Sequence, residues 1–285
     1  LVLGHRGASA DYPENTVLAF REAMRAGADG VELDVMRCAS GEVVVVHDDD
    51  LWRTAQHAPG SEQPVRRSTL AELRRFDVGR GEKVPTLAEV LEELGPDALV
   101  NVELKSPEIK AGRDYLKLVG DDGLATAVAE VLARAGRLPK SGGLAETTLI
   151  SSFDPIQLVR FHRRAPGAVP LGFLFYREQS LAMQNLWRSS LLHLRAVHPE
   201  AALLDAVVMR RFRRAGLFVH TWTVDDPHEI AALLALGVDA IITNQPGAVR
   251  KQLGACLKTY CGPRWRRLRC SQCGGRDYFC GQTTK

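Results

Sequence analysis

Short apolar runs alternate with amphipathic stretches along most of the chain. Leu1–Gly4 is apolar and breaks at His5-Arg6-Gly7. Val17, Phe20, Ala23 and Met24 then recur at helical spacing behind Asn15 and Thr16, either of which can cap the helix predicted over 15–26. Gly27 and Gly30 punctuate the chain before Val31-Glu32-Leu33-Asp34-Val35, whose strict alternation puts both acids on one side of a strand. Gly41-Glu42 turns into Val43–Val46, which ends at His47-Asp48. Residues 49–85 interrupt the rhythm with Pro59-Gly60, Pro64, Arg66-Arg67 and the 79–81 glycines, and are expected to form an insertion with little core of its own. A short helical piece is predicted there at Leu70–Arg75. After Pro85-Thr86 the pattern predicts helices over 87–94, 124–134, 155–164, 179–187, 203–215, 227–236 and 246–253. Strands are predicted between them over 98–104, 148–152, 169–175, 194–198, 218–224 and 240–243. Such alternation implies a parallel sheet, and about eight strand–helix units in this length favour a closed (β/α)8 TIM barrel over an open doubly wound sheet.

In a barrel of that kind the active site lies at the C-terminal ends of the strands. Those ends collect His5-Arg6, Glu32 and Asp34, His47-Asp48, Glu103 and Lys105, Ser151-Ser152, Trp222 and Asn244. Glu32, Asp34 and Glu103 have the chemistry of hard-metal ligands: Mg²⁺ or Ca²⁺ takes carboxylate oxygens and keeps waters that a phosphate displaces. Three carboxylates at one mouth repel unless a divalent cation neutralises them; the alternative is pairing with Arg6 and Lys105. His5 and His47 suit acid–base work near neutral pH. Each ends a strand beside the carboxylates, whereas His57, His162, His193, His220 and His228 read as structural or exposed. Arg6 and Lys105 offer positive charge without acceptor capacity, as a phosphate requires. Gly4 and Gly7 let backbone approach closely there.

Composition narrows the class. With 45% hydrophobic and 25% charged residues among 285, the chain as a whole is neither disordered nor of low complexity. No run approaches the roughly 18 apolar residues of a membrane span. Charge and cysteine are uneven. Residues 250–285 hold nine Lys and Arg against one acid, a net +8, which leaves −5 on the remainder. Cys38 is the only cysteine before Cys256, so the main body is no disulfide scaffold and fits a reducing, cytoplasmic setting.

Longer blocks carry a resemblance. Leu3-Gly4-His5-Arg6-Gly7-Ala8, Pro13-Glu14-Asn15-Thr16 and the stretch from Gly27 to Val35 resemble the opening of the glycerophosphodiester phosphodiesterases. The run from Val44 through His47-Asp48 to Arg53-Thr54 is similar to that family's next block, and Val84-Pro85-Thr86-Leu87 to the end of its small insertion. Asn101-Val102-Glu103-Leu104-Lys105, Ser151-Ser152-Phe153-Asp154, Thr221-Trp222-Thr223-Val224 and the stretch from Gly237 to Pro246 resemble its later strands. The resemblance covers residues 1–253. It implies a (β/α)8 barrel that hydrolyses glycerophosphodiesters to glycerol 3-phosphate and an alcohol with a divalent metal. It further implies Glu32, Asp34 and Glu103 as metal ligands and His5 and His47 as the acid/base pair. Arg6, Lys105 and Trp222 become phosphate or substrate contacts, and Asn15 orders the site. Asn244 stands where the family usually has Asp, and Asp225 where it usually has Asn, which bears on substrate preference.

The tail, 254–285, lies outside the resemblance. Cys270-Ser271-Gln272-Cys273-Gly274 has the form of a zinc knuckle, with Cys256, Cys261 and Cys280 available to complete a structural Zn²⁺ site. The alternative is a disordered basic tail with free thiols. Its charge would also attract nucleic acid or an anionic membrane. Two further functions are expected alternatives: a lysophospholipase D acting on longer lipids, and a non-catalytic barrel that binds nucleic acid through this tail.

Overall fold

A computed structural model describes residues 1–106, 122–139, 145, 147–260, 268–269 and 277–278, with backbone alone for 255–260 and the last two pairs. Nine strands run through the main body: β1 (Val2–His5), β2 (Gly30–Arg37), β3 (Val43–Val45), β4 (Leu99–Leu104), β5 (Thr148–Ser152), β6 (Leu171–Phe175), β7 (Ala196–Pro199), β8 (Phe218–Thr221) and β9 (Ala240–Thr243). The helices are α1 (Val17–Arg25), α2 (Leu70–Leu73), α3 (Leu87–Leu94), α4 (Leu124–Arg134), α5 (Pro155–Arg164), α6 (Leu181–Gln184), α7 (Ala206–Arg214), α8 (Pro227–Leu236) and α9 (Pro246–Tyr260).

Every strand but β3 joins a parallel ring in the order β1, β2, β4, β5, β6, β7, β8, β9, closed by β1 pairing with both β2 and β9. This is the expected (β/α)8 barrel. β3 stands outside the ring, antiparallel to β2 with Val35 opposite Val45. Helix starts follow the sequence chemistry. Thr86 and Glu89 form a reciprocal capping box on α3, and Asp226 caps α8 ahead of Pro227. Gly237 ends α8 in the left-handed conformation.

Four predicted helices come out shorter, two of them by four residues or more. The 179–187 segment keeps a helix only over Leu181–Gln184, because the Asn185 amide donates to the Leu181 carbonyl at 2.7 Å and the chain tightens into 3-10 turns. The helix predicted from Leu203 starts at Ala206, where the Asp205 carboxylate accepts from the Val207 and Val208 amides, both at 2.7 Å. The apolar pattern ran on through Leu203 and Leu204, but the cap decides the start.

Between ring and helices lies a continuous apolar core that includes Phe20, Leu33, Val102, Ile150, Phe161 and Phe173. The insertion departs from its expectation. Its Leu51, Ala55, Val65, Leu73, Val78 and Val84 are buried, and with Met36, Cys38, Val44 and Val46 they make a second apolar cluster. Alternation on β3 serves both: Val43 and Val45 join the main core, Val44 the second. Inside the ring, Asn101, Ser151 and His198 are buried and find no hydrogen-bond partner for their side chains among the described residues. Gly172 makes room for His198, since a Cβ there would lie 2.5 Å from the imidazole Nε2.

The chain divides into two compact units, Leu1–Arg250 and Lys251–Lys285. In the second, the end of α9 is followed by an antiparallel pair, β10 (Leu268–Arg269) and β11 (Asp277–Tyr278). Cys270 and Cys273, the predicted zinc ligands, lie outside the described residues, as do Cys261 and Cys280. Among the described residues no helix is long and apolar enough to cross a membrane.

Candidate active site

Parallel register brings the acids together. Asp34 on β2 sits opposite Glu103 on β4, and His5 on β1 opposite Glu32 on β2. Carboxylate oxygens of Glu32, Asp34 and Glu103 lie within 4.8 Å of one another, all three residues being buried. Their compensation is unequal. Lys105 Nζ is 3.3 Å from Glu103 and 3.7 Å from Asp34, and Arg6 Nε is 3.2 Å from Asp34. Among the described residues Glu32 has no Lys or Arg ion pair. It accepts from the Arg6 backbone N–H at 3.2 Å and lies 4.0 Å from His5 Nε2.

The electrostatics follow. Burial, reinforced by the charges of Asp34 and Glu103, pushes the Glu32 carboxyl well above the usual range. Burial also raises Glu103, with Lys105 opposing it. Burial would raise Asp34 too, but Lys105 and Arg6 outweigh it and hold that carboxyl low. The same acids keep Lys105 protonated against its burial. A buried, all-oxygen set in which one carboxylate lacks a cation fits a hard divalent metal, so the pairing alternative holds for Asp34 and Glu103 and fails for Glu32.

Arg6 and Asn15 both adopt left-handed backbone, with φ of +55° and +56°. That bend lets Arg6 face Glu32 through its amide and Asp34 through its guanidinium. The Asn15 amide donates to Asp34 Oδ2 at 2.9 Å. Gly4 and Gly7 let backbone approach closely, as expected, and the neighbour is helix α1. A Cβ at Gly7 would stand 2.5 Å from the Ala19 backbone and one at Gly4 2.9 Å from the Ala23 Cβ, so these glycines seat α1 against the strand end.

The two histidines are held differently. His5 Nδ1 contacts Asn244 Oδ1 at 2.7 Å, and burial, then Arg6, lowers its pKa. His47, just after β3, has Nδ1 2.7 Å from Asp48 Oδ1. Asp48 accepts from Arg53 Nε at 2.7 Å, Arg53 forks onto both oxygens of Glu14 at 2.7 and 2.8 Å, and Glu14 accepts from Arg6 at 2.9 Å. The Glu14–Arg53 link was missed by sequence reasoning; both residues sit in the blocks that carry the resemblance, but their pairing spans 39 positions. Trp222 follows β8 and donates through Nε1 to the His198 carbonyl at 2.8 Å. Its ring meets Phe153 edge to face at 5.3 Å, and Phe153 meets Tyr176 at 5.9 Å, an aromatic row following β5, β6 and β8 at the same barrel face.

The arrangement combines a metal-fitting acidic triad, two imidazoles with oriented Nδ1 atoms, and two cations. Comparison with known proteins gives the family. The profile of the glycerophosphoryl diester phosphodiesterase family matches residues 5–248. A glycerophosphodiester phosphodiesterase of Caldanaerobacter subterraneus is 32% identical over 86% of this chain and 94% of its own, and one of Bacillus subtilis is 29% identical over 88% and 85%. The crystal structure of the Thermotoga maritima glycerophosphodiester phosphodiesterase superposes with a TM-score of 0.68 at 31% identity, covering 88% of this chain and 96% of that one. An Oleispira antarctica phosphodiesterase, solved in complex with the product sn-glycerol-3-phosphate, gives 0.71 at 26% identity over 89% and 96%. The chain thus belongs to the glycerophosphoryl diester phosphodiesterase family and is a phosphoric diester hydrolase.

Proposed function

We propose that the protein hydrolyses glycerophosphodiesters to glycerol 3-phosphate and an alcohol, using a divalent metal, Mg²⁺ or Ca²⁺, held by Glu32, Asp34 and Glu103. The observation that carries this reading is the buried triad with an uncompensated Glu32 and His5 beside it. When bound, the metal supplies Lewis-acid stabilisation of the charge that builds on the phosphoryl oxygens. Arg6 and Lys105 add positive charge at the same place, and Trp222 contributes a substrate contact.

His5 takes the proton from the substrate's own 2-hydroxyl through Nε2, and that oxygen attacks phosphorus. The bond to the leaving alcohol breaks, and His47, oriented by Asp48 through Nδ1 at 2.7 Å, donates the proton that the departing oxygen needs. The products are the free alcohol and a cyclic glycerol phosphate. Water then opens the ring with the roles reversed: His47 takes its proton and His5 returns one to the 2-oxygen.

The test is glycerol 3-phosphate release from several glycerophosphodiesters, long-chain lysolipids included, after chelation and with Mg²⁺, Ca²⁺ and Mn²⁺ added back. The expected result is loss on chelation and recovery with a divalent ion on the short substrates. Full turnover in chelator would overturn the metal, and turnover confined to lysolipids would overturn the substrate.

A further inference from the structure

Behind His5 stands a chain of polar groups that the chemistry above does not use. Asp225, in the loop after β8, accepts from three donors. The Thr243 hydroxyl reaches Oδ1 at 2.7 Å, the Asn244 backbone N–H reaches Oδ1 at 2.8 Å, and the Asn244 side-chain NH₂ reaches Oδ2 at 2.6 Å. The Thr243 hydroxyl in turn accepts from the Gln245 amide at 3.0 Å, which leaves its hydrogen directed at Asp225. A carboxylate only accepts, so the NH₂ end of Asn244 must face Asp225. The carbonyl end therefore faces His5 and only accepts. Nδ1 at 2.7 Å must then carry the proton, and the neutral ring is left with a bare Nε2, which lies 4.0 Å from Glu32. Ser9 adds to this, its hydroxyl lying 2.8 Å from Asn244 Oδ1 and 2.7 Å from the His5 carbonyl.

We infer that Asp225 is a positioning residue that sets the tautomer of His5 by locking the orientation of the Asn244 amide. The consequence for turnover rests on the proposed role of His5 as base; the tautomer itself does not. A bare Nε2 is what proton abstraction requires, and the opposite tautomer presents an N–H where the substrate proton must go.

The experiment is ¹⁵N NMR of the full-length, Mg²⁺-loaded protein labelled at histidine, with His5→Gln assigning the resonance, alongside kcat and KM for glycerophosphodiester hydrolysis. The unaltered protein is expected to show His5 protonated at Nδ1. Asp225→Asn is nearly isosteric but releases the Asn244 amide to rotate. It should bring up the Nε2–H tautomer and cut kcat by about 10- to 10⁴-fold with KM little changed. The double variant Asp225→Asn with Asn244→Asp puts a carboxylate against His5 Nδ1 and an amide donor behind it, and should restore both the tautomer and most of kcat. An Nε2–H tautomer in the unaltered protein overturns the inference with no variant needed. So does Asp225→Asn losing kcat with the tautomer unmoved, or a double variant that folds and recovers neither. If the unaltered protein releases no glycerol 3-phosphate while His5 shows the Nδ1–H form, the proposed function fails and the positioning inference survives.

Discussion

Glu32 is the least compensated of the three acids, and this sets an opposed pair of expectations. Its carboxyl is raised by burial and by its neighbours, so ionising it costs the metal-free fold stability, and this one contribution is relieved as pH falls. Glu32→Gln should therefore melt no lower than the unaltered protein in chelator at pH 8, yet lose the stabilisation that added Mg²⁺ gives, along with most activity. Equal metal stabilisation in both proteins would remove Glu32 from the ligand set. The histidines allow a second separation. His5→Ala and His47→Ala should each lower kcat by about 10²–10⁴-fold, but a substrate with a very good leaving group should rescue only the variant that has lost the acid, His47→Ala. Equal losses on both substrates would mean that the two residues merely position phosphate. At this scale much was legible from sequence, because period-two alternation fixes which side of a strand Glu32 and Asp34 occupy, and parallel register then delivers Glu103. The long-range partners, Glu14 with Arg53 and Asn244 with His5, were not. No local spacing encodes a contact made across 39 or 239 positions.

Among the elements, the insertion has the least transparent sequence and an unexpected share in the site. Its prolines and arginines mask six apolar side chains spread over 34 positions at no regular period, and only packing against Met36, Cys38, Val44 and Val46, which face away from the main core, gathers them. Arg53 is one of the insertion's links to the rest of the chain, through Asp48 on one side and Glu14 on the other, alongside Arg66, which reaches Asp122 and the Lys105 carbonyl. Arg53→Gln removes the fork onto Glu14 and the charge beside Asp48. Its exposed position should keep the stability cost near 1 kcal/mol or less, while kcat falls about 10-fold as His47 and Arg6 lose their bracing. Urea unfolding together with steady-state kinetics measures both. A large stability loss with unchanged kcat would make Arg53 structural only. Leu73→Ala addresses the insertion's core, where a cost of about 2–5 kcal/mol is expected for a buried leucine.

For the molecule as a whole, the polar barrel interior predicts sensitivity to acid. Burial drives His198 well down and brings His220 to about 4, whereas the unfolded chain protonates such rings near 6.5. A folded-state pKa below the unfolded one means that stability is intact above about pH 6.5 and is lost as pH falls towards 4. His220 alone accounts for up to roughly 3 kcal/mol of that loss. Urea midpoints measured between these limits should fall with pH, and His220→Gln should flatten the slope. An unchanged slope would place the acid sensitivity elsewhere. The rings face inward together, with centroids 4.8 Å apart, so His198→Phe should also flatten it unless the larger ring fails to fit over Gly172.

The closing seam of the ring has a consequence for the order of events at birth. His5 is made 239 positions before Asn244, which directly follows the strand that closes the barrel against β1. A nascent chain halted before Ala240 already holds all three acids and both histidines, yet it lacks the amide that orients His5 and the strand that seals the ring. Turnover is therefore expected only once β9 and Asn244 have been made, and chains stopped before Ala240 are expected to release no glycerol 3-phosphate in an assay of ribosome-stalled products, however much of the acidic triad they carry.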